Sequence, residues 1–192
     1  MTDFFIVLAA YFIGAIPFAY LFGRLFKRAD IRQIGSGNVG ALNTFKHIGY
    51  LPGVLTLLTD IAKGFLAVYL AISYGSFYLL PLFTMFMVVL GHDYNIFLGF
   101  KGGKGLACLL GAMLLISPIT ILYLLGFIIL IVLVIRDTNT ASGLGIIALP
   151  VVMGLQKGHW LFAAFGLAAA LLVLSKYPRD FRAYRAGRRK IF

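Results

Sequence analysis

Residues 91–105 read GHDYNIFLGFKGGKG, a polar island flanked on both sides by apolar runs long enough to enter a membrane. It holds His92, Asp93 and two lysines, Lys101 and Lys104, set among glycines. In Lys101-Gly102-Gly103-Lys104-Gly105 the glycines let successive N–H groups turn toward one anion, and the lysines add point charges. The apolar run that resumes at Leu106 predicts a helix, whose N-terminus also favours phosphate. The GxxxxGK[ST] spacing of a Walker loop is absent. The competing reading is a glycine hinge between membrane helices with its lysines at lipid headgroups, since glycine is frequent in such helices.

Working outward, 61% apolar and 12% charged residues leave too little polar surface for a soluble globule of 192 residues. The mean hydropathy of +0.99 says the same. The composition predicts an all-α, polytopic membrane protein. Seventeen Lys and Arg stand against six acids, all aspartate, giving +11. Such a charge suits anionic lipid headgroups or phosphorylated substrates. Nucleic acid is not expected as a partner, because most of the basic residues border apolar runs. Single Cys108 excludes an internal disulfide and reads as a small packing residue. The first apolar run lacks a basic n-region and outlasts a signal-peptide core, so it reads as a first transmembrane helix.

The expected spans are about 4–22, 51–73, 77–90, 119–135, 141–155 and 160–174, with a short run at 106–116 that either crosses or re-enters. Five are secure; seven result if the short runs cross. With seven, the loops 23–50 and 91–105, Arg136 and the tail 176–192 share one side and collect 15 of the 17 Lys and Arg. The positive-inside rule makes that side cytoplasmic and places the N-terminus outside. The whole chain, 1–192, is expected to be one integral-membrane domain.

Gly35-Ser36-Gly37-Asn38-Val39-Gly40-Ala41-Leu42-Asn43, followed by Lys46 and His47, is a second polar motif. Its small residues and amides can hydrogen-bond an oxyanion, or form an ordinary interhelical turn. Asp60 and Lys63 lie three apart on one face of an apolar helix, as a structural ion pair or lining a polar cavity. Three scattered histidines and one cysteine offer no readable metal-ligand set. No Ser-His-Asp triad is legible either, although Ser36, His92 and Asp60 lie on segments that could meet. The tail, with seven Lys and Arg, reads as a juxtamembrane helix on anionic lipid.

The ordered set GSGNVGALN, DIAKG, GHDYNIFLGFKGGKG and a basic tail resembles the bacterial acyl-phosphate:glycerol-3-phosphate acyltransferases, the PlsY family, over nearly the whole chain. The resemblance implies seven helices in the bacterial cytoplasmic membrane with the motifs facing the cytoplasm. It implies transfer of a long-chain acyl group from acyl phosphate to the 1-hydroxyl of glycerol 3-phosphate, giving lysophosphatidate for phospholipid synthesis. No acyl-CoA, acyl carrier protein, cofactor or metal is implied; the enzyme that makes acyl phosphate is an implied partner.

Carried over by position, the resemblance makes Ser36, Lys104 and His92 the catalytic candidates. Gly35, Gly37, Asn38, Gly40, Asn43, Lys46, Lys101, Gly102, Gly103 and Gly105 become substrate- or phosphate-binding candidates. Asp60 and Lys63 support them. Lys46 stands where the family has arginine, Leu42 where it has threonine, and Asn95 where it has proline. Tyr177 and Asp180 replace the histidine and asparagine of the family's C-terminal motif. Two other readings remain beside the enzyme: a non-catalytic or altered-acceptor paralogue that binds a phosphorylated lipid, and a transporter of a phosphorylated metabolite.

Overall fold

The structure, a computed structural model, describes residues 1–187, so Arg188, Arg189 and Lys190 of the predicted tail helix lie outside the described residues. The described chain is helical and falls into two compact units, one over residues 1–116 and one that begins at Ser117. The first unit holds α1 (Thr2–Ala15), α2 (Phe18–Lys27), α3 (Ala41–His47), α4 (Tyr50–Tyr74), α5 (Leu80–Asp93) and α6 (Leu106–Ile116). The second holds α7 (Pro118–Ile135), α8 (Thr138–Gly145), α9 (Leu149–Lys157), α10 (Trp160–Leu174) and α11 (Pro178–Arg185).

Each of the seven apolar runs is helical. Among the described residues, Thr2–Lys27, Tyr50–Tyr74, Leu80–Leu98, Pro118–Ile135 and Thr138–Lys157 are long and apolar enough to cross a membrane. Helices α10 and α11 pass that test together as a pair bent by 60°, and α6 is a shorter apolar helix.

The first span departs from the expected unbroken helix over 4–22. It stops at Ala15 and restarts at Phe18, with Ile16 extended and Pro17 at the break. Pro17 has no N–H to continue the ladder, and the residue before a proline is pushed away from the helical region. Helix α2 then runs on with Arg24 and Lys27 in its last turn and Leu21, Leu25 and Phe26 exposed.

Two helix crossings hold the first unit together, and both use small residues. Gly14 of α1 faces the Val88 carbonyl of α5, and Gly91 of α5 faces the Tyr11 carbonyl of α1. Likewise Gly64 of α4 faces the Cys108 carbonyl of α6, and Gly111 of α6 faces the Ile61 carbonyl of α4. A Cβ at any of these four positions would strike main-chain oxygen. In lipid, where apolar burial does not drive helices together, such backbone-to-backbone approach is the main source of packing energy. Gly14 and Gly91 lie next to the break and to His92, so this crossing also sets the distance between them.

On the loop after α2, buried Asp30 pairs with Arg32 at 2.6 Å and Arg24 at 3.4 Å. Both guanidinium groups lie over the Tyr20 ring, at 5.1 and 5.2 Å. The Arg32 hydrogen bond holds the Asp30 carboxyl below its usual range. In the second unit Asp137 caps α8 by accepting the Thr140 N–H at 2.6 Å. Tyr177 is fully buried, with its hydroxyl 3.0 Å from Ser142 Oγ of α8. Buried Asp180 occupies the first turn of α11, where the helix dipole favours a carboxylate. Tyr177 and Asp180 thus sit in packed positions of this unit.

Two outcomes are expected. Gly91→Val should lower the thermal stability of the detergent-purified protein by about 1–3 kcal/mol, the usual cost of overpacking; an unchanged melting temperature would contradict the crossing. A carboxyl depressed on folding contributes stability above its unfolded pKa of ~4 and loses it as pH falls through the folded value. Asp30→Asn should therefore be less stable than wild type at pH 7 and converge on it below pH ~4, as read by melting curves across pH.

Candidate active site

The break between α1 and α2 exposes main-chain carbonyls that a continuous helix would have used. Two side chains from elsewhere in the unit donate to this region. Lys63 Nζ of α4 donates to Gly14 O at 3.0 Å and Ile16 O at 2.9 Å. Asn95 Nδ2, from the turn after α5, donates to Ala15 O at 2.6 Å. Tyr11 of α1 donates its hydroxyl to Tyr94 O at 2.8 Å, tying the same turn to the first helix.

Lys63 is 4% exposed and Asp60 2%, and their ion pair measures 2.8 Å. A third group completes the cluster: His92 Nδ1 lies 3.3 Å from Lys63 Nζ and 3.6 Å from Asp60 Oδ1. An ammonium has three protons and no lone pair, so this contact is a hydrogen bond only in the tautomer that leaves Nδ1 unprotonated. The sequence showed no metal-ligand set, yet the fold brings donor atoms of Asp60, His92 and Cys108 within 4.8 Å of one another. The Lys63 ammonium, in direct contact with both Asp60 and His92, already places a cation at this point.

The glycine segment closes over the histidine. Gly103 N–H donates to His92 O and Gly102 N–H to Asp93 O, each at 3.1 Å. A Cβ on Gly103 would collide with His92 Nε2, and one on Gly102 with the His92 carbonyl. This changes the expected role of these two glycines. Their N–H groups are committed to the α5 carbonyls and shape the loop, so the loop's positive character comes from the side chains of exposed Lys101 and half-buried Lys104 and from the N-terminus of α6. Gly105, at φ +69°, makes the turn into that helix.

The second motif is built around Asn43. Its Nδ2 donates to Ile31 O, Ile34 O and Asn38 O at 3.0–3.3 Å, and its Oδ1 accepts from Ser36 N–H at 3.2 Å. The expected ligand-binding amide is therefore engaged in bracing its own loop. Gly35 and Gly37 adopt positive φ, at +60° and +69°, and Gly40 precedes α3. Ser36 is exposed, with its Oγ accepting from Asn38 N–H at 3.4 Å. Lys46 is exposed in the last turn of α3, while Lys27 donates to His47 O at 2.9 Å.

The two motifs meet. Val39 of this motif and Leu98 of the 91–105 stretch share one buried cluster with Ala19, Ile31 and Ile48. The Val39 carbonyl also abuts Gly103. Ile16, Pro17, Phe18, Ala19, Val39, Asp60, Lys63, His92 and Asn95 line a narrow cleft there. Of the candidates, Asp60, Lys63, His92, Gly102 and Gly103 are in direct contact along one line; Ser36, Asn38 and Asn43 form the adjoining loop. His92 and Asp60 do converge as anticipated, but Ser36 hydrogen-bonds to Asn38 rather than joining them. Asn95 and the Pro17 break were not among the expected site features; the proline inside an apolar run was the signal for the break, and Asn95 is revealed only by its contact with Ala15 O.

The sequence model of the family described as glycerol-3-phosphate acyltransferase matches residues 4–187. The chain is 37% identical over 175 residues to "Glycerol-3-phosphate acyltransferase 2" of Dehalococcoides mccartyi, covering 90% of this chain and 83% of that one. It is 36% identical over 182 residues to "Glycerol-3-phosphate acyltransferase" of Syntrophomonas wolfei, covering 95% and 93%. The crystal structure of PlsY, an integral membrane glycerol 3-phosphate acyltransferase, in its glycerol 3-phosphate form superposes with a TM-score of 0.90 at 32% identity, over 100% of this chain and 96% of that one. Its lysophosphatidic acid form gives 0.86 at 30% identity, with the same coverage. The chain is a multi-pass membrane protein and an acyltransferase that belongs to the glycerol-3-phosphate acyltransferase (PlsY) family.

Proposed function

We propose that this protein transfers a long-chain acyl group from acyl phosphate to the 1-hydroxyl of glycerol 3-phosphate, releasing lysophosphatidate and inorganic phosphate. The observation that carries this reading is the meeting of the two motif loops at Gly103, Val39 and His92, beside the lysines and the N-terminus of α6. Both substrates carry phosphate, and a cationic loop running into a helix N-terminus is suited to hold one.

Acyl phosphate is already activated, so binding the two substrates in line supplies much of the rate. The glycerol oxygen attacks the acyl carbonyl carbon, the new ester C–O bond forms, and the bond from that carbon to the phosphate oxygen breaks. Phosphate leaves with the electron pair. A substrate phosphate takes the hydroxyl proton; its second ionisation lies near pH 6, which suits a base at neutral pH. Lys104 neutralises charge on the reacting phosphate, and Lys101 adds to the local positive potential. Ser36 and Asn38 face the substrate from the adjoining loop, whose shape Gly35, Gly37, Gly40 and Asn43 maintain. His92 offers its Nε2–H beside Gly103, and Gly105 turns the chain into α6. Lys46 contributes a point charge without the fork of an arginine.

The family match runs continuously across both units, which supports reading the chain as one acyltransferase domain. The basic loops support placing the site on the cytoplasmic face of a bacterial inner membrane. There the enzyme that makes acyl phosphate would deliver its product.

Purified protein in nanodiscs, given palmitoyl phosphate and labelled glycerol 3-phosphate, should form labelled lysophosphatidate. Lys104→Ala should reduce kcat/KM by about 10²-fold or more. A wild-type protein that binds glycerol 3-phosphate without turnover would replace this reading with that of a non-catalytic paralogue. A stable acyl adduct on Ser36 or Cys108 would overturn direct transfer.

A further inference from the structure

An intrahelical Asp60–Lys63 pair, three residues apart, would satisfy itself within α4. The ammonium does more: it reaches the Gly14 and Ile16 carbonyls at the break and His92 Nδ1 on α5, four acceptors for three protons. On the other edge of the same imidazole, Nε2 lies so close to Gly103 that a side chain there would collide with it. A continuous line of contacts therefore runs from α4 through the imidazole to the glycine loop.

We infer that Lys63 is a positioning residue for the phosphate site: its ammonium fixes His92 as the Nε2–H tautomer and turns that N–H edge toward the Gly102-Gly103-Lys104 segment. The physical basis is that an ammonium can only donate. A proton on Nδ1 would point at a cation, so the Nδ1 lone pair is the edge that faces the ammonium at 3.3 Å. Asp60 keeps the ammonium charge compensated at a buried position, and the two α1 carbonyls fix its direction. Without Lys63, the Asp60 carboxylate, 3.6 Å from Nδ1, would be the acceptor facing that nitrogen and would favour the opposite tautomer. The inference rests on the acyltransferase reading for its kinetic arm only.

The test uses full-length protein in nanodiscs with ¹⁵N-labelled histidine, the His92 signals being assigned with His92→Gln. Wild type should show His92 protonated at Nε2 and accepting at Nδ1; a wild-type Nδ1–H signal overturns the inference without any further variant. Lys63→Met should shift His92 toward Nδ1–H and raise KM for at least one of the two phosphorylated substrates about tenfold, with a smaller change in kcat. Measuring both KM values distinguishes which phosphate the segment holds. Where Lys63→Met fails to fold, Lys63→Met/Asp60→Leu removes the pair without stranding a charge; it should lose the single tautomer and show the same KM rise. A variant that is merely less stable, with tautomer and KM unchanged, makes the cluster a structural ion pair only. Movement of the tautomer without KM, or of KM without the tautomer, also overturns the positioning role. Absence of turnover in wild type would instead fail the acyltransferase reading, and the tautomer measurement would still decide the Lys63–His92 link.

Discussion

A main-chain carbonyl released at membrane depth must find a donor, because lipid offers none. The break at Ile16–Pro17 creates that need, and much of the first unit is arranged around meeting it. Lys63 supplies donors to Gly14 and Ile16, and Asn95 supplies one to Ala15. Burying the lysine requires Asp60, and the ammonium geometry then selects the tautomer of His92. One proline thus couples three helices through a single cation. The glycine crossings at Gly14–Gly91 and Gly64–Gly111 bring those helices close enough for the side chains to reach.

The same arrangement accounts for the form of the glycine segment. Gly102 and Gly103 are small because His92 and the α5 carbonyls occupy the space where side chains would be, and their N–H groups close the loop onto α5. Rigidity is gained at the expense of two donors. Positive charge is left to side chains and to a helix end, groups that point-charge neutralisation of a phosphate can use. In the neighbouring loop Asn43 plays a comparable part, holding four main-chain groups so that Ser36 and Asn38 keep their places.

Much of this was legible in the sequence. Apolar runs are read directly from composition, and all of them are helical. Glycine–lysine and glycine–serine–asparagine motifs mark loops because their residue types favour turns, and Asp60 and Lys63 announce themselves as charges in an apolar helix. What was not legible depends on three-dimensional partners. The spacing of Asp60 and Lys63 predicts their pairing but says nothing about carbonyls of a different helix. The fate of the Gly102 and Gly103 N–H groups is set by how α5 ends. Asn43 looks like a ligand-binding amide until the carbonyls of Ile31, Ile34 and Asn38 are seen to surround it. The interruption of the first span could have been read from Pro17, but a proline in an apolar run is compatible with a kinked as well as a broken helix. At the C-terminal end, the burial of Tyr177 and Asp180 and the Tyr177–Ser142 hydroxyl contact likewise depend on partners from another helix.

On the proposed reading, the convergence of the two motif loops makes a phosphate site against residues 101–105 and the start of α6. An experimental structure of the protein with glycerol 3-phosphate bound tests it most directly. The phosphate group is expected within hydrogen-bonding distance of Lys104 and the first turn of α6, with the glycerol hydroxyls toward the Ser36–Asn38 loop. A phosphate held elsewhere, with residues 101–105 making no contact to the ligand, would contradict it.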